Sequence, residues 1–176
     1  MTRTLNAITH RIIGTIRFNW LSLLIIGLYL TIFTTTHVVS ASMEPTIMTG
    51  DYCIVINSVF GYIPNRGDII AFERGTEVWC KRVIGLPGDE ITIIDGRVMI
   101  NGEYLDEEYL PDSVQGYTWS YKSDFVVPQD SIFVLGDNRN NSFDSRYWDD
   151  PYLKISKVIG VYQFTAFNNK FGIKTS

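Results

Sequence analysis

The sequence contains few of the residues on which many enzymes and small secreted domains depend. It has two cysteines, Cys53 and Cys80, and two histidines, His10 and His37. Two cysteines are too few for a disulfide framework, and their spacing matches no zinc-binding pattern. Both lie in apolar, β-rich runs, which favours buried thiols over a bridge. With 15 basic and 19 acidic residues the net charge is −4, so the sequence lacks the basic footprint of a nucleic-acid-binding protein.

Charged residues are also absent from residues 18–39, a segment that is mostly apolar. A bilayer-spanning helix needs about 20 predominantly apolar residues. Three arginines and no acidic residue precede the run, so the positive-inside rule predicts a cytoplasmic segment at 1–17. A cleavable secretory signal is the alternative interpretation. We favour an uncleaved transmembrane anchor at 18–39, because residues suited to chemistry follow it directly.

Beyond residue 50 the sequence shows no long helical periodicity, and short β-rich runs alternate with turn residues. Asp95-Gly96 and Asn101-Gly102 are typical of tight hairpins, because these residues adopt positive φ. The pattern predicts one mostly β domain at 40–176, with antiparallel sheets in a distorted barrel or sandwich and a small β cap inserted at about 90–128. Strands are expected at 52–56, 68–72, 78–84, 90–94 and 97–100.

A serine-containing turn lies just beyond the predicted anchor, in the run Ser40-Ala-Ser-Met-Glu-Pro-Thr46. Pro45 restricts the backbone next to Ser42. Such a turn can hold a hydroxyl and nearby backbone N–H groups in fixed positions, as a nucleophile and its oxyanion site require. Taken alone, the motif is also typical of an ordinary turn.

A lysine lies within the predicted strand 78–84. Strand alternation places Trp79, Lys81 and Val83 on one face, so an aromatic and an aliphatic side chain flank the amine. Burial disfavours the ammonium form and lowers a lysine pKa, which allows a neutral amine to act as a general base. The alternative is a strand-edge lysine whose ammonium reaches solvent.

A third segment, residues 136–146, is dense in Asp and Asn and contains two arginines. Arg139 and Arg146 are able to pair with Asp137 and Asp144. Metal binding is the alternative, but the spacing does not fit a calcium loop, which needs alternating Asp or Asn, a central Gly and a distal Glu. We therefore predict neither a metal site nor a cofactor.

Taken in order, the three segments resemble the sequence boxes of the type I signal peptidase family. Residues 42–46 are similar to its serine box, 81–89 to its lysine box and 136–146 to its final box. The resemblance covers about residues 38–160. It implies that Ser42 is the nucleophile, Lys81 the general base and Ser40 the side-chain oxyanion donor.

The resemblance also implies supporting roles and has two departures. A hydroxyl would orient the lysine amine, an ion pair would support it, and shallow apolar pockets would accept small substrate side chains. The resemblance assigns Ser142 to orienting the amine and the Asp144–Arg146 ion pair to supporting it. It assigns the apolar pockets to Val38, Met43 and Cys80. Val39 replaces the proline often found before the oxyanion serine, and the stretch between the serine and lysine boxes is short.

The family implies a serine endopeptidase that removes N-terminal signal peptides from exported preproteins. We expect its partners to be signal peptides with small residues before the cleavage site and the lipid bilayer, not nucleic acid. The expected location is the bacterial cytoplasmic membrane, as a single-pass protein with a cytoplasmic N-terminus and an extracytoplasmic catalytic domain.

Three alternatives remain open from the sequence. The first is a Ser-His-Asp hydrolase, for which His37 is the available histidine outside the predicted cytoplasmic segment. The second is a maturation peptidase specialised for a conjugation or pilus-type secretion system. The third is an anchored domain that binds exported peptides without cleaving them.

Overall fold

The computed structural model describes residues 19–59, 61–111 and 123–167 of the chain. Over these residues a helix at 19–32 is followed by eleven strands and by one 3-10 turn at Ile155–Lys157. All the strand pairs are antiparallel. The prediction of a mostly β, antiparallel fold is confirmed.

Seven strands form the larger sheet, in the order β1-β2-β11-β3-β4-β9-β10. Their bounds are β1 Phe33–His37, β2 Tyr52–Asn57, β3 Ile69–Arg74, β4 Glu77–Gly85, β9 Ser131–Leu135, β10 Leu153–Lys154 and β11 Val158–Phe167. In the described part of the chain β1 pairs with β2 alone, and the two-residue strand β10 pairs with β9 alone. The sheet is therefore open, and of the two predicted forms, a distorted barrel or a sandwich, the barrel was wrong.

Four strands form the smaller sheet, in the order β7-β6-β5-β8. Their bounds are β5 Glu90–Ile94, β6 Arg97–Ile100, β7 Glu103–Tyr104 and β8 Ser123–Val126. Asp95 and Asn101 have φ of 48° and 52°, and each precedes a glycine of positive φ, as the two hairpin dipeptides predict. Residues 112–122, in the polar part of the predicted cap, lie outside the described residues.

The smaller sheet packs on β4 and β9 through one buried cluster, which includes Ile84, Ile91, Phe133 and Leu135. The contact is close at Gly85, where an added Cβ would come within 2.3 Å of Ile91 Cδ1. Burial of each such aliphatic or aromatic side chain stabilises the fold by about 1.5–3 kcal/mol. This packing holds β4 firmly against the smaller sheet.

Two other clusters complete the core. One contains Phe72, Val83 and Trp148, and the other contains Met43 and Cys53, with Cys80 packed against it. Both cysteines are free thiols, as their apolar surroundings indicate. The second cluster supports the serine-containing loop described below.

The segment predicted as an anchor is helical at 19–32, and its outer end forms β1. Thr34, Thr35 and Thr36 are β-branched, which favours a strand, and they pair with β2 in regular register. No residue separates the helix from the strand, and Asn57 Nδ2 donates a 2.9 Å hydrogen bond to the Thr31 carbonyl. Within the described residues, no helix has the length and hydropathy needed to cross a bilayer.

Candidate active site

The predicted nucleophile lies in a loop, residues 38–50, that connects β1 to β2. Two backbone hydrogen bonds close the loop at its base: Val38 N–H donates to Asp51 and the Val38 carbonyl accepts from Gly50. Met43 extends into the core and is 1% exposed. Because Met43 is held in this way, the adjacent Ser42 is fixed at the inner surface of the loop, where it is buried.

The predicted base lies on β4, which is bordered by β3 on one side and β9 on the other. Lys81 pairs with Ile70 in the sheet and is 3% exposed. Its Nζ lies 5.5 Å from the centroid of the Trp79 ring, on the face that strand alternation indicates. The predicted burial of this lysine is confirmed.

The amine and the hydroxyl are in direct contact. Lys81 Nζ lies 2.7 Å from Ser42 Oγ and 3.0 Å from the Cys80 carbonyl oxygen. Burial lowers the pKa of Lys81 to about 8, although the carboxylate of Asp144 and other nearby groups partly oppose this shift. The neutral amine, which is rare at pH 7 for an exposed lysine, is therefore accessible here.

Ser40 lies beside the pair, with its Oγ 3.3 Å from Ser42 Oγ. Its side chain is exposed, unlike that of Ser42. A hydroxyl at this distance is close to any carbonyl that Ser42 attacks. The position is compatible with the oxyanion role, which stays a prediction.

Residues 136–146 form a loop that holds the serine loop from the other side. The Asn138 backbone N–H donates to the Ser42 carbonyl at 3.0 Å, and Asn138 Nδ2 donates to the Ala41 carbonyl at 2.9 Å. A Cβ at Gly136 would lie 2.4 Å from the Ser42 carbonyl oxygen. Glycine is therefore required for the two loops to approach this closely.

The predicted ion pair in this loop is present. Arg146 donates from Nε and Nη2 to the two oxygens of Asp144, at 2.8 Å and 2.9 Å. Asp144 is completely buried and also accepts a hydrogen bond from the Gly136 backbone N–H. Two-point pairing fixes the carboxylate and hence the backbone of the loop that contacts Ser42.

A cavity of about 660 Å³ opens at Ser42 and Lys81. It runs between the start of the serine loop and the first half of β4, with Trp79 and Phe143 also in its wall. The three residues that the sequence assigned to substrate pockets all line it: Val38, Met43 and Cys80. Their role in substrate selection stays a prediction, but their location is the expected one.

Comparison with known proteins identifies the family. The family model described as signal peptidase, peptidase S26, matches residues 12–167. The chain belongs to this family. A signal peptidase I of Leptolyngbya laminosa is 41% identical over 135 residues, which cover 70% of this chain and 64% of that protein. A probable signal peptidase I-2 of Synechocystis is 37% identical over 147 residues, which cover 78% and 65%.

These matches span just under two thirds of the length of those two relatives. Among solved structures, a signal peptidase I from Enterococcus faecalis is 37% identical to this signal peptidase family member. The aligned region covers 57% of this chain and 97% of the Enterococcus faecalis chain, with a TM-score of 0.47.

Ser142 is the final-box serine that the family resemblance assigned to orienting the lysine amine. It is 8% exposed, and its Oγ has no hydrogen-bond partner among the described residues. The hydrogen bonds of Lys81 Nζ go to Ser42 and Cys80 instead. In this member of the family the orienting role of Ser142 therefore stays a prediction.

One buried network at the site was not predicted. Arg82 donates from Nε and Nη2 to Asp137, at 2.8 Å and 2.6 Å, and Asp137 accepts a short hydrogen bond from Thr46. This network therefore links β4 to Thr46 of the serine loop, four residues after Ser42. Arg82 and Asp137 are 55 positions apart, and the signal available in the sequence was only that both belong to family boxes.

The other arginine of the final-box loop also has an unexpected partner. Arg139 pairs with Glu107, which comes from the segment after β7, and not with Asp137. The expectation of an Arg139–Asp137 pair was wrong, because Arg82 already occupies both oxygens of Asp137. Over the described residues, no group of three His, Cys, Asp or Glu side chains is placed to hold a metal ion.

His37 lies in the cavity wall, with its ring centroid 4.7 Å from that of Tyr52. The side chain that contacts the Ser42 hydroxyl as a potential base is Lys81. The geometry therefore favours a Ser/Lys pair over the Ser-His-Asp alternative.

Proposed function

We propose that this protein is a serine endopeptidase that removes N-terminal signal peptides from exported preproteins. The observation that carries the proposal is the 2.7 Å contact between Lys81 Nζ and Ser42 Oγ, both buried at the inner end of a cavity. Membership of the signal peptidase family supports the choice of substrate.

In the acylation step the neutral amine of Lys81 takes the proton of the Ser42 hydroxyl, and Oγ attacks the carbonyl carbon of the scissile bond. The oxyanion is held by the Ser40 hydroxyl and the Ser42 backbone N–H. The lysine ammonium then gives its proton to the nitrogen of the leaving amine, and the carbon–nitrogen bond breaks. Removal of one oxyanion donor typically costs about 10²–10³ in turnover, so Ser40 contributes less than the pair itself.

Deacylation reverses these roles. The lysine, now neutral again, takes a proton from water, and the resulting hydroxide attacks the ester that joins Ser42 to the signal peptide. Collapse of the second tetrahedral intermediate returns the proton to Ser42 Oγ and releases the carboxylate product. One buried amine therefore serves as base twice, which its pKa of about 8 allows without a histidine.

The substrate is proposed to bind as an extended strand in the cavity, with its backbone hydrogen-bonded to the walls. Val38, Met43 and Cys80 are apolar and would limit the size of the side chains next to the cleaved bond. Signal-peptide cleavage sites have small residues at these positions. The shape and apolar character of the walls therefore match the proposed substrate class.

We also propose that the apolar run from Phe18 anchors the protein in the bacterial cytoplasmic membrane, with the N-terminus in the cytoplasm and the catalytic domain outside. The proposal rests on the sequence, in which an uncharged apolar run is preceded by a segment whose charged side chains are all arginines. Ser42 follows this run closely. A cleavage junction would reach the same level when a signal peptide lies across the bilayer.

The first test is cleavage of a labelled preprotein by the purified full-length protein in detergent. We expect one cut, directly after a small-x-small site, with both products identified by mass spectrometry. A preprotein with a bulky residue at the position before the cut is the matched control and should stay intact. No cleavage of any preprotein would favour the peptide-binding alternative, and cleavage of pilin-like or conjugation substrates alone would favour the specialised peptidase.

The second test is the pH dependence of kcat/KM. Only the neutral form of Lys81 is active, so activity should rise with pH and level off above about 8; from pH 8 to pH 5 it should fall roughly 10³-fold. Because the carboxylate of Asp144 raises the lysine pKa, Asp144→Asn should move the rise to lower pH. A rate unchanged down to pH 5 would falsify the role of the neutral lysine.

A further inference from the structure

The segment that follows β7, residues 105–110, connects the smaller sheet to the loops of the candidate active site. We call it the bridging segment. Its Leu105 N–H donates to the Val98 carbonyl of β6, and Leu110 is 4% exposed. Glu107 and Tyr109 lie between these two fixed points and make the contacts described next. None of the sequence motifs includes this segment.

The first contact runs through Arg139 to the loop that holds Ser42. Arg139 Nη1 donates to Glu107 Oε2 at 3.0 Å, and Nη2 pairs with the other carboxylate oxygen. The third guanidinium nitrogen, Nε, donates to the Gly136 carbonyl at 3.1 Å. Gly136 is the residue whose Cα faces the Ser42 carbonyl too closely to permit a side chain. The carboxylate of Glu107 is therefore connected through one arginine to Gly136, whose backbone packs against the Ser42 carbonyl.

The second contact runs through Arg82. The Arg82 guanidinium stacks on the Tyr109 ring at 3.9 Å from its centroid. The edge of the same guanidinium binds Asp137, which accepts a hydrogen bond from Thr46 in the serine loop. Tyr109 also joins the two contacts, because its hydroxyl donates to Glu107 at 2.6 Å.

We propose that Glu107 and Tyr109 are positioning residues for the Ser42–Lys81 pair, so that the bridging segment supports the active site. This inference rests on the function proposed above. Neither residue touches the reacting atoms. They act by setting the positions of two buried arginines. Arg139 binds the Gly136 carbonyl in the loop that faces Ser42, and Arg82 holds Asp137, which accepts from the Thr46 hydroxyl.

Charge makes the effect of Glu107 larger than that of an ordinary surface ion pair. Arg139 is 5% exposed, and its side chain is paired with a carboxylate that is also nearly buried. An arginine cannot lose its proton, so without that carboxylate the guanidinium must move toward water. Such a movement removes the donor from the Gly136 carbonyl and loosens the loop that contacts Ser42. Displacements of about 1 Å in a catalytic group can cost 10²-fold in rate.

The test compares Glu107→Gln with Glu108→Gln in the full-length protein, using the labelled preprotein. Glu108 is exposed and adjacent, so the second variant makes the same change of charge without touching Arg139. We expect Glu107→Gln to lower kcat 10- to 100-fold with KM within twofold of wild type. Glu108→Gln should keep both constants. Glu107→Asp, which restores a carboxylate, should recover at least part of the lost kcat.

A role limited to folding is separated from positioning by two further measurements. Thermal unfolding of each variant shows the temperature at which it is fully folded, and kcat is compared there. Tyr109→Phe keeps the ring under Arg82 but removes the hydroxyl that donates to Glu107, so it should lower kcat by less than Glu107→Gln does. Tyr109→Leu removes the ring as well, so it should lower kcat by more than Tyr109→Phe does. These two variants decide the question even if Glu107→Gln does not fold.

The outcomes distinguish the two proposals. Wild-type cleavage supports the proposed function whatever the variants do. Folded variants of Glu107 and Tyr109 with the kcat of wild type would overturn the positioning role and leave the function intact. If wild type cleaves no preprotein while remaining folded, the proposed function fails, and the positioning role fails with it.

Discussion

Replacing Ser42 by alanine is expected to lower kcat for preprotein cleavage by about 10⁶-fold, the scale on which removal of a serine nucleophile acts. The Lys81 amine contacts the Ser42 hydroxyl and the Cys80 carbonyl and not the Ser40 hydroxyl. We therefore do not expect Ser40 to replace Ser42 as the nucleophile in this variant. The variant should stay folded, because alanine removes only the hydroxyl oxygen, and Met43 and the backbone hydrogen bonds that hold the loop are unchanged. Cleavage at matched concentration, followed by gel analysis over hours, measures the loss.

Ser156→Ala is the matched control for this variant, since Ser156 is an exposed serine in the 3-10 turn. It should keep the kcat of wild type. Circular dichroism of all three proteins shows whether the fold is retained. If Ser42→Ala cleaves at more than a small fraction of the wild-type rate, the nucleophile is a different group and the acyl-enzyme mechanism is wrong.

Replacing Lys81 by methionine is expected to lower kcat by about 10³-fold or more, because a positioned general base contributes about 10²–10⁴. Methionine retains most of the length and apolar character of the lysine stem and suits a site that is 3% exposed. It removes only the amine, so folding should be retained or improved. The double variant with Ser42→Ala should be no slower than Ser42→Ala alone, since the two groups act as a unit.

Lys154→Met supplies the control, because Lys154 is exposed and pairs with Asp130 at the surface. A surface pair of this kind contributes little to stability. Its variant should cleave at the wild-type rate. A Lys81→Met protein that retains a tenth of wild-type kcat would exclude the amine as the base and direct attention to another group in the cavity.

Local chemistry made much of the fold predictable. The hairpin turn at Asp95-Gly96 follows from residues that accept positive φ, and the structure shows both angles positive. The alternation around Lys81 placed this side chain beside Trp79, and the two are in contact. Such signals depend on residues within a few positions of one another, which is why they can be read without the fold.

The pairing of strands that are distant in the sequence was harder to predict. The strand β11 lies between β2 and β3 inside the larger sheet, although it is the last strand of the described residues. Nothing in its local sequence specifies that place, because its position depends on which sheet edges remain unpaired. For the same reason the sequence did not decide between a distorted barrel and a sandwich.

Of the predicted site residues, the structure brings Ser42 and Lys81 into contact and pairs Asp144 with Arg146, and all four lie within motifs. The sequence did not identify the partner of Arg139, since Glu107 is 32 positions away in a segment without a motif. Ion-pair partners separated by this distance are chosen by tertiary packing. An expectation built from charge alone therefore selected the nearer carboxylate.

The direct passage from the helix at 19–32 into β1 has a geometric consequence. The Asn57 side-chain amide binds the last turn of the helix to the sheet, which restricts rotation of the helix relative to the sheet. If the helix is embedded as proposed, the height of Ser42 above the lipid is set by covalent and hydrogen-bonded structure. The protein would then select a cleavage site by its distance from the membrane surface as well as by the residues around it.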